Sequence, residues 1–303
     1  MTISTSHSSL AAFNKCKRYY KLRHIDLIFP KVKKSSLRFG TIFHKSVELM
    51  YKTGVIDPSL SYIEKETETV DTTFFEQKDH RDLEWSKTVL IAASKAWYKK
   101  FYLTDMEKGV EIVQLEKKYK GLYIYNPDST KRSIKAKLSF ISDMVVRLSD
   151  GGLYLVEYKT AAKIGDDYIA ELDIDHQVST YIYYLEKELK EKIKGVLYRV
   201  LKKPGIRLRQ KETSVEFLAR LEAKFEEESA DYLIEYPFIR SREEILEFTK
   251  DLWDETQYLL AAHRTKKWPR NTKSCVMFGR CEYFPLCKKQ ARAEMMYIKG
   301  EKR

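Results

Sequence analysis

Glycine and proline are scarce in this 303-residue chain, at 11 and 7 residues. That scarcity argues against a loop-rich chain, and no internal repeat or low-complexity segment is present. No apolar run approaches the ~20 residues that a membrane-spanning helix needs. Residues 1–10 are rich in Ser and Thr and hold no apolar stretch of a secretory signal, so a cytoplasmic protein with no membrane partner is expected. Cysteines number only four, which suits a disulfide framework poorly in such a compartment. The chain is 43% hydrophobic and 33% charged, enough for a sizeable core and unlike a disordered chain. Lys and Arg outnumber Asp and Glu by 56 to 44, a net charge of +12. An excess of this size fits either a polyanionic partner, most commonly nucleic acid, or a generic basic surface.

Periodicity predicts a helix over residues 8–24, with Leu10, Phe13, Tyr20 and Leu22 apolar. A basic loop, KVKK at 31–34, follows. A second helix is expected in LRFGTIFHKSVELMYKTG, where Phe39, Phe43, Val47 and Met50 recur at helical spacing and Gly54 ends the run. Two charged helical stretches fill 57–103. Strands are predicted over 110–121, 135–148 and 153–160, the last two joined by a hairpin turn at Ser149, Asp150, Gly151 and Gly152. A helix over 175–192, a strand over 195–201 and helices over 214–234 and 242–262 complete the order. The expected fold class is α/β, a small mixed sheet flanked by helices. No linker divides the chain, so a single domain over 1–303 is expected, with a helical insertion over 55–108.

The cysteines sit at the two ends: Cys16, then Cys275, Cys281 and Cys287 in CVMFGRCEYFPLC. Four thiolates converging on one point suit an Fe–S cluster or a structural zinc, and the spacing alone also fits four unrelated buried thiols. Such a site would tie segments 8–24 and 270–290 together, two ends with no other evident reason to meet. Pro285 argues that the tail does not hold itself as a helix.

The strand LYLVEYKT places Glu157 and Lys159 on one face, after Leu153 and Leu155. A charged pair on an otherwise apolar face is costly without a role. Hairpin pairing brings Asp143 within one register step of Glu157. Two carboxylates that close repel, and a divalent cation relieves them; hard oxygen ligands favour Mg²⁺ or Mn²⁺. Lys159 beside such an ion could orient or deprotonate a water, or offset charge building on a phosphate. The pattern alone also fits a surface charge cluster. His44, one turn after Gly40, shares a helix with Phe43, Val47 and Tyr51, and Gln177 and Tyr181 share a helix face.

Taken in order, these residues resemble a RecB-type nuclease of the PD-(D/E)XK superfamily, in the branch that carries an Fe–S cluster. That branch includes AddB nuclease domains, CRISPR-associated RecB-like exonucleases and phage-encoded relatives. SHSSLAAFNKCKRYYKL matches the opening with Cys16; GTIFH matches the G-x3-H of Gly40 and His44; SFISDMV carries the metal aspartate, Asp143; VEYKT carries the (D/E)-x-K of Glu157 and Lys159; Gln177 and Tyr181 match Q-x3-Y; and Cys275, Cys281 and Cys287 match the late cysteines. The chain departs from many relatives in having Lys17 after the first cysteine, five residues between Cys275 and Cys281, and Phe140 where a Gly often precedes the aspartate.

The resemblance implies metal-dependent hydrolysis of DNA, most readily by an exonuclease on single-stranded or end-processed DNA. A non-catalytic DNA-binding or scaffold protein, and a zinc-stabilised nucleic-acid binder, are the competing readings. Asp143 and Glu157, the carbonyl of Tyr158, and His44 would hold Mg²⁺ or Mn²⁺, with Glu116 as an extra carboxylate. Lys159 would position the water, Gln177 orient the water or the lysine, and Tyr181 touch the DNA backbone or Gln177. Cys16, Cys275, Cys281 and Cys287 would hold a [4Fe–4S] cluster. Lys202, Lys203, Arg207 and Arg209, in RVLKKPGIRLRQK, would line a phosphate groove, as would Lys266, Lys267 and Arg270. Protein partners in recombination, repair or replication fit such an enzyme.

Overall fold

The computed structural model describes residues 2–31, 35–70, 77–277 and 279–301, with side chains for all of these except 35–37 and 77–79. Residues 32–34 of the KVKK loop and 71–76 of the helical insertion therefore lie outside the described residues. In chain order the elements are β1 (Ile3–Thr5), α1 (His7–Lys15), α2 (Lys17–Tyr20), β2 (Ile28–Pro30), α3 (Ser35–Thr53), α4 (Asp57–Glu68), α5 (Gln77–Trp97), α6 (Thr104–Glu107), β3 (Glu111–Tyr125), β4 (Arg132–Arg147) and β5 (Leu153–Ala161). They continue with α7 (Asp166–Asp173), α8 (His176–Leu189), β6 (Ile193–Lys202), α9 (Ser214–Glu227), α10 (Ser229–Tyr232), β7 (Leu233–Phe238), α11 (Arg242–Thr265), α12 (Phe284–Cys287) and β8 (Tyr297–Lys299). The chain forms two compact units: a terminal unit of Met1–Lys33, Lys118–Phe140 and Ser241–Arg303, and a central unit of Lys34–Lys117 and Ile141–Arg240.

The central unit holds a mixed sheet. β5 pairs antiparallel with the second half of β4 and parallel with β6, and β7 pairs antiparallel with β6. The helices that cover it are shaped by local chemistry. Asp175 caps α8 by accepting the Gln177 N–H, and Thr213 and Glu216 form a reciprocal capping box at α9. Along α3, Phe39, Phe43, Val47 and Met50 make one apolar stripe, packed with Trp97, Val156, Tyr158 and Phe217. Trp97 stands edge-on to Phe43 at 5.0 Å and to Tyr158 at 5.6 Å. Burying each such side chain stabilises by about 1.5–3 kcal/mol, which is what holds α3 against β5.

A buried ionic network adds direction to that packing. Arg199 of β6 forks onto Asp105 at 2.6 and 2.7 Å, and Tyr51 of α3 donates to the same carboxylate at 2.5 Å. Arg199 Nε also reaches Glu235 at 2.7 Å. These carboxylates hold the Arg199 guanidinium charged despite its burial.

In the terminal unit, Ser6 and Ser9 form the capping box of α1. β1 runs parallel to the first half of β4, and β2 pairs antiparallel with β8. Tyr20 packs between His24 at 5.2 Å and Trp268 at 5.7 Å.

Several sequence expectations need correction. The helix expected over 8–24 breaks at Cys16, which is extended at φ −166°. The helix expected over 214–234 stops short, and its last residues open the edge strand β7. Pro237 fits there because an edge strand leaves one row of N–H positions unused. Pro285 sits in the first turn of the one-turn helix α12, where its missing N–H costs nothing, so the tail does hold a short helix. The two ends also have reasons of their own to meet. The Lys15 carbonyl accepts from Asn271 at 3.0 Å and Ser274 at 2.9 Å, Tyr19 donates to Glu282 at 2.7 Å, and Tyr283 donates to the Ile28 carbonyl at 2.6 Å.

Candidate active site

The β4–β5 hairpin sets the carboxylates. Its turn closes with the Leu148 N–H on the Gly152 carbonyl at 3.1 Å and the Gly151 N–H on the Leu148 carbonyl at 2.9 Å. Gly151 takes φ +73°, a conformation that side chains resist. The register that follows pairs Met144 with Val156, so the next step sets Asp143 opposite Glu157. The Tyr158 N–H donates to Asp143 Oδ2 at 2.8 Å and fixes that carboxylate.

His44 reaches the hairpin from α3. A Cβ on Gly40, one turn earlier, would lie 3.4 Å from Thr160 Oγ1, at van der Waals contact, so the helix sits close to β5 here. His44 Nδ1 is 3.5 Å from Asp143 Oδ2. Burial would lower the imidazole's pKa, but Asp143, Glu157 and Glu116 together outweigh this and raise it.

Glu116 arrives from β3. Its backbone is at φ +48°, which costs a non-glycine residue roughly 1–2 kcal/mol and turns the strand locally. One ligand atom each from His44, Glu116 and Asp143 lies within 4.8 Å of the others. Burial, then the Asp143 charge, pushes the Glu116 carboxyl up to about 7.

The other half of the site is a hydrogen-bonded relay. Lys159 donates to Gln177 Oε1 at 2.8 Å and lies 2.9 Å from Glu157 Oε1. The amide of Gln177 donates to Glu157 Oε1 at 2.7 Å and to the Tyr181 hydroxyl at 2.8 Å. Glu157 is 1% exposed, and burial followed by the nearby Asp143 raises its pKa. Lys159 stays an ammonium: burial opposes the charge, but Glu157 and Asp175 overcome it. Asp175, which belongs to none of the motifs, lies 3.6 Å from Lys159 and also accepts the Gln177 N–H at 2.8 Å. Its signal in the sequence was that of an ordinary helix N-cap.

These residues fit a divalent cation. Three ligand atoms converge from three separate elements, and Glu157 Oε2 is buried with no hydrogen-bond partner among the described residues. An orphaned carboxylate oxygen beside a second carboxylate is costly unless a cation meets both. The contact shown for the Tyr158 backbone is its N–H to Asp143. An open cleft of about 410 Å³ lies over the site, lined by Gly40, Thr41, His44, Lys45, Glu48 and Glu116.

The remaining sequence candidates lie elsewhere. Lys202 sits over the Tyr232 ring at 5.8 Å, Lys203 over Phe39 at 5.2 Å and Arg207 over Trp85 at 4.4 Å, while the Arg209 N–H donates to Glu212. The cysteines are gathered in the terminal unit. Cys16 Sγ accepts from the Asn271 N–H at 3.4 Å, the Cys281 N–H donates to the Cys275 carbonyl at 2.8 Å, and Arg270 donates to the Cys287 carbonyl at 3.1 Å. Burial, and then neighbouring cysteine charges among other effects, raise the Cys281 and Cys287 thiols.

Among solved structures, the chain is similar to a protein of Eubacterium rectale provisionally named an exonuclease. Identity is 10%, the match covers 98% of this chain and 90% of that chain, and the TM-score is 0.49. It is also similar to the protein SSO0001, at 11% identity over 80% of this chain and 82% of that chain, with a TM-score of 0.30. Both are distant likenesses of chain path and say nothing of chemistry. No curated protein sequence matches. The sequence profile of the PD-(D/E)XK nuclease superfamily, however, matches residues 4–288, which take in the Asp143 hairpin, the Glu157–Lys159 pair and His44 alike. With that match spanning nearly its whole length, the chain belongs to the PD-(D/E)XK nuclease superfamily.

Proposed function

We propose that this nuclease is a divalent-metal-dependent deoxyribonuclease of the RecB-like, cluster-bearing branch, working as an exonuclease on single-stranded or end-processed DNA in the cytoplasm. The observation that carries the reading is the convergence of His44, Glu116 and Asp143 beside the buried Glu157–Lys159–Gln177 relay. His44, Asp143 and Glu157 would hold Mg²⁺ or Mn²⁺, with Glu116 and the Tyr158 carbonyl completing the set; the imidazole tilts preference towards Mn²⁺. Such an ion, when bound, polarises the scissile phosphate and makes water a better nucleophile at neutral pH.

The chain's own residues supply the rest. Lys159, held as an ammonium, orients the water and offsets charge on the phosphate rather than taking a proton. Gln177 fixes the lysine through its carbonyl and Glu157 through its amide, so one side chain sets both. Tyr181 holds Gln177. Lys202, Lys203, Arg207 and Arg209 bind phosphates of the strand. Cys16, Cys275, Cys281 and Cys287 carry a [4Fe–4S] cluster with a structural role, and the whole chain acts as one nuclease domain.

The test is incubation with 5′- and 3′-labelled single- and double-stranded DNA in Mn²⁺, Mg²⁺ or chelator. Stepwise loss of label with metal, and none with chelator, is expected. Metal-independent cleavage, or DNA binding with no cleavage under any condition, would overturn the reading; the second would leave a non-catalytic scaffold.

A further inference from the structure

A smaller cavity of about 280 Å³ lies in the central unit, lined in part by residues that neighbour the active cleft along the chain. Phe39 lines it, and the next residue, Gly40, lines the cleft. Ala162, which directly follows β5, forms another part of the wall. The cavity is thus about one and a half helical turns from His44 and a few residues along the chain from Lys159. Its volume sits at the low end for ligand pockets, suited to one planar ring system rather than a large molecule.

Its chemistry is that of an aromatic platform with cations. Trp85 faces the cavity with its Nε1 committed to the Ile206 carbonyl at 2.7 Å, which locks the indole plane. The Arg207 guanidinium lies over the Trp85 ring at 4.4 Å, exposed and only 3.5 Å from Asp82. Lys203 points its ammonium over Phe39 and has no carboxylate partner among the described residues. Its backbone N–H is fixed on the Ala161 carbonyl at 2.7 Å. Gly205 contributes no side chain to the wall.

A locked indole, a stacked guanidinium and an unpaired ammonium together match a nucleotide: a π-face for the base and a positive charge for its phosphate. We propose that this pocket is a base-stacking subsite that grips the DNA nucleotide next to the cleaved phosphate, its base stacked on the outer face of the Arg207 guanidinium that Trp85 holds flat, with Lys203 on its phosphate. The proposal rests on the nuclease reading and gives it a substrate form. A base can enter only when unpaired, so the pocket favours single-stranded or frayed ends over intact duplex.

The experiment uses the full chain in chelator, so that binding is read without cleavage. Short oligothymidylates, intact or carrying one abasic position scanned along the strand, are titrated while tryptophan fluorescence and affinity are followed. At one position the abasic strand should bind about tenfold more weakly than the intact strand. Trp85→Ala should abolish that gap, Trp85→Phe should keep most of it but lose the fluorescence quench, and Lys203→Ala should weaken intact and abasic strands alike. Should Trp85→Ala fail to fold, the wild-type abasic scan and the exposed variant Arg207→Ala decide the matter, since the stacking guanidinium should contribute to the same gap. No abasic position with a penalty, or a penalty unchanged in the variants, would overturn the proposal. Competition by thymidine monophosphate alone at equal strength would mark the occupant as released product and overturn the substrate form.

Cleavage by the same preparations in Mn²⁺ separates the two readings. Cleavage without a base preference removes the pocket alone. A base preference without cleavage removes the nuclease reading alone.

Discussion

The carboxylates of the central unit ride on paired strands, whereas the cysteines of the terminal unit ride on breaks and single turns. Asp143 and Glu157 are set opposite each other by ladder register; the Tyr158 N–H and the Gln177 amide each hold one carboxylate oxygen, and Glu157 Oε2 is left without a partner among the described residues. Cys16 occupies an extended break between two helices, Cys275 ends a 3-10 turn and Cys287 ends a one-turn helix. The first site is rigid and holds repelling charge. The second unit is tied by ordinary contacts, such as those on the Lys15 carbonyl, in addition to its thiols. Chemistry and stability should therefore separate between them: damage to the first should silence the protein without unfolding it, and damage to the second should loosen it.

The largest expected effect is in the hairpin. Glu157→Gln should lower cleavage by about 10³-fold. Its melting temperature should stay close to that of wild type, because relief of the buried repulsion with Asp143 offsets the lost pairing with Lys159. A nuclease assay with a thermal melt checks both; a stable, fully active variant would break the comparison at its stronger end. Next, Gln177→Ala should lower kcat by about 10- to 100-fold with little change in KM, since it loosens Lys159 without touching the strand.

In the terminal unit, Cys281→Ser should bleach the brown colour of anaerobically purified protein and lower the melting temperature by a few degrees, roughly 1–2 kcal/mol. The fall is modest because the ends keep their other contacts. Unchanged colour and metal content would remove the cluster from the reading.

The smallest effect is on pH. Burial, then the Arg23 charge, pushes His24 down to about 4 from its ordinary 6.5. The unfolded chain takes up that proton first, so stability is full above about 6.5 and declines as the pH falls towards 4. Allowing for partial exposure, the loss is about 1 kcal/mol. Denaturant titrations of wild type and His24→Phe across that window check it, the variant losing the slope.

How much of this was legible in the sequence follows from the same comparison. Period two along LYLVEYKT and the Asp-Gly turn before it fix which residues face each other, so the Asp143, Glu157 and Lys159 grouping was readable from spacing. Glu116 was readable only as an extra carboxylate, because its positive φ breaks the period that would have aimed it. Asp175 hid behind the commoner role of helix cap. The break at Cys16 carries no Gly or Pro, and contacts between the Lys15 carbonyl and residues 271 and 274 leave no local mark. Edge strand β7 was lost to the charged, helix-favouring run ahead of it. Trp85 read as one more aromatic in an amphipathic helix until the fold set Arg207 upon it.

The fork of Arg199 on Asp105, joined by the Tyr51 hydroxyl, clamps the helix that carries His44 before any ion arrives. A cation entering the cleft would meet a backbone that has already given up its freedom, and adjustment to the ion's radius would fall to the side chains. Amide hydrogens along the second half of α3 should accordingly exchange slowly in metal-free protein. Loading with Mn²⁺ should leave their exchange almost unaltered.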